Sequence, residues 1–242
     1  MIIFKRFDIM KMKFHALFFI VFIVAFTACK EDNYSEPKSM LSGRIVYKGE
    51  PIGVEHDQVR LQLFEPGWGK LAPIDVPIAQ NASYSALLFN GKYKLVFPVG
   101  QGPFQTVVKD AAAKDTLFLE INGNKEMDVE VTPYYMIRSP KFISGERKIT
   151  GSISLEKVIT DTNAKNIERV SLYVNKTDFV SGANNIVVTD MDGTTIKDLS
   201  TISLSAIVPD FSPTQNYVFA RIGVKIAGVE DMIFTTVVKV LL

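Results

Sequence analysis

The sequence predicts an all-β protein, two tandem β-sandwich domains behind an N-terminal export segment. Three observations carry that prediction. From about Met40 onward the apolar residues fall in short runs, mostly of period two, the spacing of half-buried strands. Gly, Asn and Pro turn chemistry separates the runs. The alternation breaks at Pro133-Tyr134-Tyr135-Met136, which divides the chain into two blocks of about 100 residues, each large enough for a core of its own.

The first segment is not part of either domain. Lys5, Arg6, Lys11 and Lys13 precede an almost wholly apolar run from Phe14 to Phe26, and Thr27-Ala28 lead into Cys29, the only cysteine. A charged start, an apolar middle and small residues before the break are the signature of a signal peptide. The run holds about 13 residues, where a bilayer-spanning helix requires roughly 20. Cys29 has no disulfide partner in the chain, and its placement resembles a bacterial lipobox, which implies removal of residues 1–28 and lipid attachment at Cys29. Met10 and Met12 offer alternative starts with a more ordinary charged region. Lys30-Glu31-Asp32 resembles the surface-export signal of Bacteroidota lipoproteins, which implies an outer-membrane protein facing the outside of the cell. Residues 29–39 are too polar to pack and read as a flexible tether.

Without residues 1–28 the chain loses four of its 27 Lys and Arg and one of its 26 Asp and Glu, leaving 23 against 25, a net charge of about −2. Nucleic-acid binding needs a clustered surplus of cations, which this balance does not supply.

In the first domain, residues 40–132, strands are expected at 43–47, 59–64, 83–89, 93–97, 116–121 and 127–131. Asn90-Gly91 is expected to form a tight hairpin through positive φ, and Asn122-Gly123-Asn124 a second such turn. Pro73 and Pro77 would each delete a ladder donor, so residues 72–79 belong at a sheet edge or in a loop. In the second domain, residues 133–242, strands are expected at 148–155, 170–174, 201–208, 217–225 and 232–240. Leu199, Ile202, Leu204 and Ile207 partly fit a helical spacing, but alternation with Ser203 and Ser205, and Pro209 at the end, favour a strand. The break at 133–147 is expected to be open to proteolysis.

Two stretches carry a resemblance for the first domain. Leu41-Ser42-Gly43-Arg44-Ile45-Val46-Tyr47-Lys48-Gly49-Glu50-Pro51-Ile52 and Phe89-Asn90-Gly91-Lys92-Tyr93-Lys94-Leu95 resemble the opening strand and closing hairpin of carboxypeptidase-regulatory-like, prealbumin-like sandwiches. Such modules ride as accessories, so the resemblance implies no catalysis. Phe211-Ser212-Pro213-Thr214-Gln215-Asn216-Tyr217 resembles the tyrosine corner of fibronectin-III-like and immunoglobulin-like sandwiches, which implies a Tyr217 hydroxyl bonded to backbone upstream. Both halves together resemble the two-domain lipoproteins that accompany SusC/SusD-like transporter pairs in polysaccharide utilisation loci. That resemblance implies carbohydrate binding or assembly at the cell surface.

Residue chemistry points away from an enzyme. After residue 28 the chain has one histidine, His56, between Glu55 and Asp57 in an expected loop, and no free thiol once Cys29 is acylated. No catalytic residue, cofactor or metal site is nominated; zinc sites usually draw on several Cys and His. Asp190-Met191-Asp192-Gly193 resembles the start of a calcium loop but lacks the later ligands, and reads as a hairpin turn. Trp68, the sole tryptophan, sits in Glu65-Pro66-Gly67-Trp68-Gly69, where it would either stack on a sugar as a glycan contact or fill a core position. The reading is therefore a tethered, non-catalytic surface lipoprotein that binds an oligosaccharide, or alternatively a structural partner of a SusC/SusD-like transporter with no ligand pocket of its own. Cys29→Ala is expected to abolish metabolic lipid labelling and to release the protein from membranes; a cleaved variant retained as before would contradict the anchor.

Overall fold

The computed structural model describes residues 35–67, 71–107 and 115–242. Among them there is no α-helix, and Pro37–Leu242 form one compact unit. Ten strands build the first domain: β1 Ser39–Tyr47, β2 Glu50–Pro51, β3 Arg60–Phe64, β4 Ile74–Pro77, β5 Ser83–Leu88, β6 Gly91–Val96, β7 Phe104–Thr106, β8 Leu117–Ile121, β9 Lys125–Glu126 and β10 Val129–Pro133. Eight build the second: β11 Tyr135–Gly145, β12 Lys148–Lys157, β13 Ile167–Asn175, β14 Val187–Asp192, β15 Ile202–Ile207, β16 Tyr217–Ile226, β17 Ile233–Phe234 and β18 Val238–Leu241.

In the first domain β1 is the hub of one sheet. It pairs antiparallel with β5 and β2, and parallel with β9 and β10; β7 lies beyond β10. The second sheet runs β4-β3-β6-β8, antiparallel throughout. Alternation in β3 turns Leu61 and Leu63 inward to meet Ile45, Val129 and Val131 in one apolar core. Burying each such side chain contributes about 1.5–3 kcal/mol. As expected, the proline-flanked β4 lies at a sheet edge. The turn between β1 and β2 is Lys48-Gly49, with φ of 51° and 81°, the left-handed pair that a two-residue hairpin requires.

Asn90-Gly91 is not a hairpin. The strands it joins, β5 and β6, belong to different sheets, and Gly91 does not adopt positive φ. Asn90 instead uses its side chain as a tie: its Oδ1 accepts from Ser39 Oγ at 2.5 Å and from the Gly123 N–H at 3.0 Å. Gly123 does take φ of 84°, but its turn also passes between sheets.

The second domain stacks a three-stranded sheet, β11-β12-β15, on a sheet ordered β14-β13-β16, with β17 and β18 both pairing with β16. Residues 202–207 form a strand, as the serine alternation indicates. Two strands, β11 and β14, lie outside the expected set, and the expected run 232–240 is split. Thr235 makes the split: its Oγ1 accepts the Ile222 N–H at 3.0 Å and its own N–H donates to the Ile222 carbonyl at 2.9 Å. The Tyr217 hydroxyl makes no upstream backbone bond among the described residues; its partly buried ring instead faces Lys239 Nζ at 3.7 Å.

The two domains share a continuous apolar core. Only Tyr134 separates β10 from β11, and Pro133 through Met136 are all buried, with the Tyr134 N–H donating to the Pro103 carbonyl at 3.2 Å. A protease must bind an extended exposed segment, so residues 133–136 are closed to one, whereas most of residues 139–146 lie exposed at the surface. Gly53 bridges to Phe234, and Arg138 of β11 is ion-paired with both Glu50 of β2 and Glu156.

Arg221, in the middle of β16, has no exposed surface and is the largest fully buried side chain among the described residues. Its Nε donates to the Thr235 carbonyl at 2.8 Å, its Nη2 to the carbonyls of Val54 at 2.8 Å and Gln80 at 3.0 Å, and its Nη1 to that of Val180 at 3.4 Å. The guanidinium lies 4.2 Å from the Phe234 ring centroid. Val54 and Gln80 belong to the first domain, Val180 and Thr235 to the second. Burial pushes the Arg221 pKa down to about 9, partly opposed by Glu55, which leaves the cation intact at neutral pH. Arg221→Met should strand these carbonyls and cost about 3–5 kcal/mol, a fall in Tm of roughly 6–20 °C for a chain of this size. Arg221→Lys should recover little, because one ammonium cannot span the carbonyls. A thermal melt shifted by less than about 2 °C in Arg221→Met would contradict the clamp.

Candidate functional site

A polar cleft opens where the two domains meet. Five elements supply its walls: the β6–β7 connection with β7, Asp115 of the β7–β8 connection, the junction at Tyr134, the β12–β13 connection and the β16–β17 turn. Its volume is about 780 Å³, within the range of small-molecule sites. Buried Phe97 and Phe104 back one wall, edge to face with centroids 5.1 Å apart.

The turns are fixed before any ligand arrives. Asp231 Oδ2 accepts the Gly102 N–H at 2.7 Å, tying the second domain's turn to the first domain's loop. Gln101 Oε1 accepts the Arg60 N–H at 3.0 Å. Lys165 Nζ donates to the Gly228 carbonyl at 3.1 Å and lies 5.6 Å from the Tyr134 ring centroid, while the Lys165 carbonyl accepts from the Tyr135 hydroxyl at 2.8 Å. Burial raises the Tyr135 pKa, so this hydroxyl stays protonated as a donor. Lys165 is therefore already engaged, whereas the side chains of Gln105, Asp115, Asn163 and Glu230 have no hydrogen-bond partner among the described residues. Two amides and two carboxylates offer both donors and acceptors, a set suited to hydroxyl groups.

None of the sequence-predicted residues that the structure describes lines the cleft. Cys29, Lys30, Glu31, Asp32 and Trp68 lie outside the described residues. His56 is exposed and does not line the cleft; its ring centroid sits 5.0 Å from that of Phe179, across the domain contact. Asp190 Oδ1 accepts from Ser171 Oγ at 2.6 Å and is 3.6 Å from Arg169. Asp192 caps the 3₁₀ turn Gly193–Thr195 by accepting from Thr194 N and Oγ1 at 2.8 and 2.6 Å. Those bonds hold the Asp192 carboxyl below the usual carboxylate range. Asp190-Met191-Asp192-Gly193 is thus a strand end and a capped turn, and among the described residues no three His, Cys, Asp or Glu are grouped to hold a metal. Sequence reasoning missed the cleft because its residues come from five separate segments. Arg221 had a readable signal, one charge inside Tyr217-Val218-Phe219-Ala220-Arg221-Ile222-Gly223-Val224.

Asp231 is 8% exposed, and desolvation first of all raises its pKa, with the Gly102 bond opposing. A carboxyl whose folded pKa is raised contributes stability that is complete below the ordinary value of 3.8 and is lost as pH rises through the folded value. Asp231→Asn stays neutral and keeps an oxygen for Gly102. Its Tm should therefore gain on the wild type as pH rises through the mildly acidic range. A Tm difference independent of pH would contradict this account.

Comparison with known proteins sets the chain among relatives. The family described as protein of unknown function (DUF3823), N-terminal domain, matches residues 39–132, and the domain of unknown function DUF3823_C matches residues 135–239. No curated protein matches the chain. Among solved structures, a DUF3823 family protein from Bacteroides ovatus ATCC 8483 is 28% identical, with a TM-score of 0.74 over 84% of this chain and 99% of that one. One from Parabacteroides merdae ATCC 43184 is 29% identical, with a TM-score of 0.73 over 85% and 100%. A candidate carbohydrate binding protein from Bacteroides uniformis ATCC 8492 shares the fold at 18% identity, with a TM-score of 0.66 over 85% and 100%. With its two halves matched in order by the two domains of one family, the chain belongs to the two-domain DUF3823 family.

Proposed function

We propose that this protein is a surface-exposed outer-membrane lipoprotein, anchored through Cys29, that serves as a non-catalytic accessory in glycan binding or uptake. The observation that carries the reading is the interdomain cleft, whose Gln105, Asp115, Asn163 and Glu230 side chains have no partner among the described residues and can meet hydroxyl groups. The signal segment and the Lys30-Glu31-Asp32 run support the address. The fold-level likeness to a candidate carbohydrate binding protein supports the ligand class. The parallel β1–β10 pairing beside an antiparallel sheet supports a prealbumin-like first domain, and the β11-β12-β15 sheet on β14-β13-β16 supports a fibronectin-III-like second domain. Trp68 remains the proposed aromatic contact in the first domain, and a SusC/SusD-like transporter the proposed partner.

A second reading draws on a different surface. Ile143, Ile207 and Leu241 of the second domain are 68%, 74% and 65% exposed, and Ser144 Oγ donates to the Leu241 carbonyl at 2.5 Å, which brings β11 beside β18. Exposed aliphatics favour a structural partner of a transporter complex over a glycan receptor.

The test is oligosaccharide binding by isothermal calorimetry across a panel of neutral glycans. The Gln105→Ala, Asn163→Ala double variant should lose about tenfold or more in affinity, with stability within about 0.5 kcal/mol per surface site. Glycan addition should also shift the fluorescence of Trp68. Unaltered affinity in the double variant would remove the cleft from the reading.

A further inference from the structure

The outer face of the β4-β3-β6-β8 sheet carries an arrangement that the cleft does not use. Register places Phe64 of β3 opposite Lys94 of β6, and Lys94 opposite Phe118 of β8. Their strand neighbours Leu63, Leu95 and Leu119 are in the core, so these three side chains share the other face. Phe118 is 67% exposed, with Lys94 Nζ 5.8 Å from its ring centroid. Two inter-strand steps separate the aromatic side chains by about 9.5 Å, close to the spacing of alternate rings in an extended pyranose chain.

The charges on this face are unevenly committed. Arg60 is ion-paired with Asp75 at 3.7 Å, and Gln62 Nε2 donates to the same carboxylate at 2.8 Å. Lys92 lies opposite Glu120. Lys94, between the two rings, has no carboxylate partner among the described residues. A ligand that satisfies this row needs apolar ring faces at each end and an anion between them.

We propose that this face binds an extended chain of carboxylate-bearing pyranoses, with Phe64 and Phe118 stacking on alternate sugar rings and Lys94 pairing with the carboxylate between them. The sugar C–H faces meet the aromatic π-faces, as in other stacked aromatic contacts. The ammonium supplies the selectivity for acidic over neutral chains, and that part of the affinity is screened by salt. The site is separate from the cleft and stands independently of it.

The test uses the full mature chain with oligomannuronate, and with the uncharged mannose oligomer of the same linkage. Wild type should bind oligomannuronate preferentially, and Phe118→Ala and Lys94→Ala should each weaken it about tenfold with unchanged Tm. Added salt should erode the wild-type preference but not the residual binding of Lys94→Ala. Equal affinity for the neutral oligomer, or binding that survives both substitutions, overturns the proposal. So does a polyglutamate peptide that competes as well as the sugar, which would assign the face to an acidic protein segment. Binding that falls in the Gln105→Ala, Asn163→Ala variant but not in Phe118→Ala overturns this site and leaves the cleft reading standing; the reverse pattern separates them the other way.

Discussion

A buried cation with no carboxylate in contact among the described residues sets the terms for this molecule. The Arg221 guanidinium is removed from water at the cost of its hydration, a penalty that would ordinarily be offset by an ion pair. Here backbone carbonyls replace the counterion, contributed by four segments that are far apart in sequence and divided between two domains. The constraint is reciprocal. The carbonyls of Val54 and Gln80 face the interior of the junction and need a donor as much as the guanidinium needs acceptors. Neither domain can therefore leave the other without stranding several polar groups at once.

Rigid docking gives the cleft its definition. Its walls are turns from different domains, and turns by themselves would drift. The Asp231–Gly102 bond, the Lys165–Gly228 bond and the one-residue junction at Tyr134 hold those turns together. The side chains without a partner among the described residues there are thus held on a preorganised frame.

Much of the fold was legible in the sequence because two-sided strands write a period-two pattern. β12 and β15 follow it, whereas β13 and β16 are buried on both faces over Val170–Asn175 and Ala220–Val224, and Ser203 and Ser205 decide strand over helix where the aliphatic spacing is ambiguous. The pattern fails where geometry interrupts it. In β11 a register shift between Arg138 and Lys141, with Ser139 at φ of 50°, breaks the alternation so that the strand reads as a connector. β14 is an edge strand whose side chains are at best partly buried, so its composition carries little burial signal. Asn90-Gly91 carries the residue types of a tight hairpin, yet it crosses between sheets, because local turn chemistry does not record which sheet the next strand will join. The cleft was not legible at all, since five separated segments meet only through tertiary packing.

The parallel pairing of β1 with β10 has a mechanical consequence. Parallel neighbours run the same way, so the chain enters the first domain at the Ser39 end and departs toward the second from the opposite end. The nine residues of β1 cover roughly 30 Å at about 3.3 Å each. An antiparallel last strand would have returned the chain to its point of entry beside Ser39. This topology instead places the start of the second domain a full strand's length from Ser39, so the separation between the two ends of the first domain is set by β1 alone.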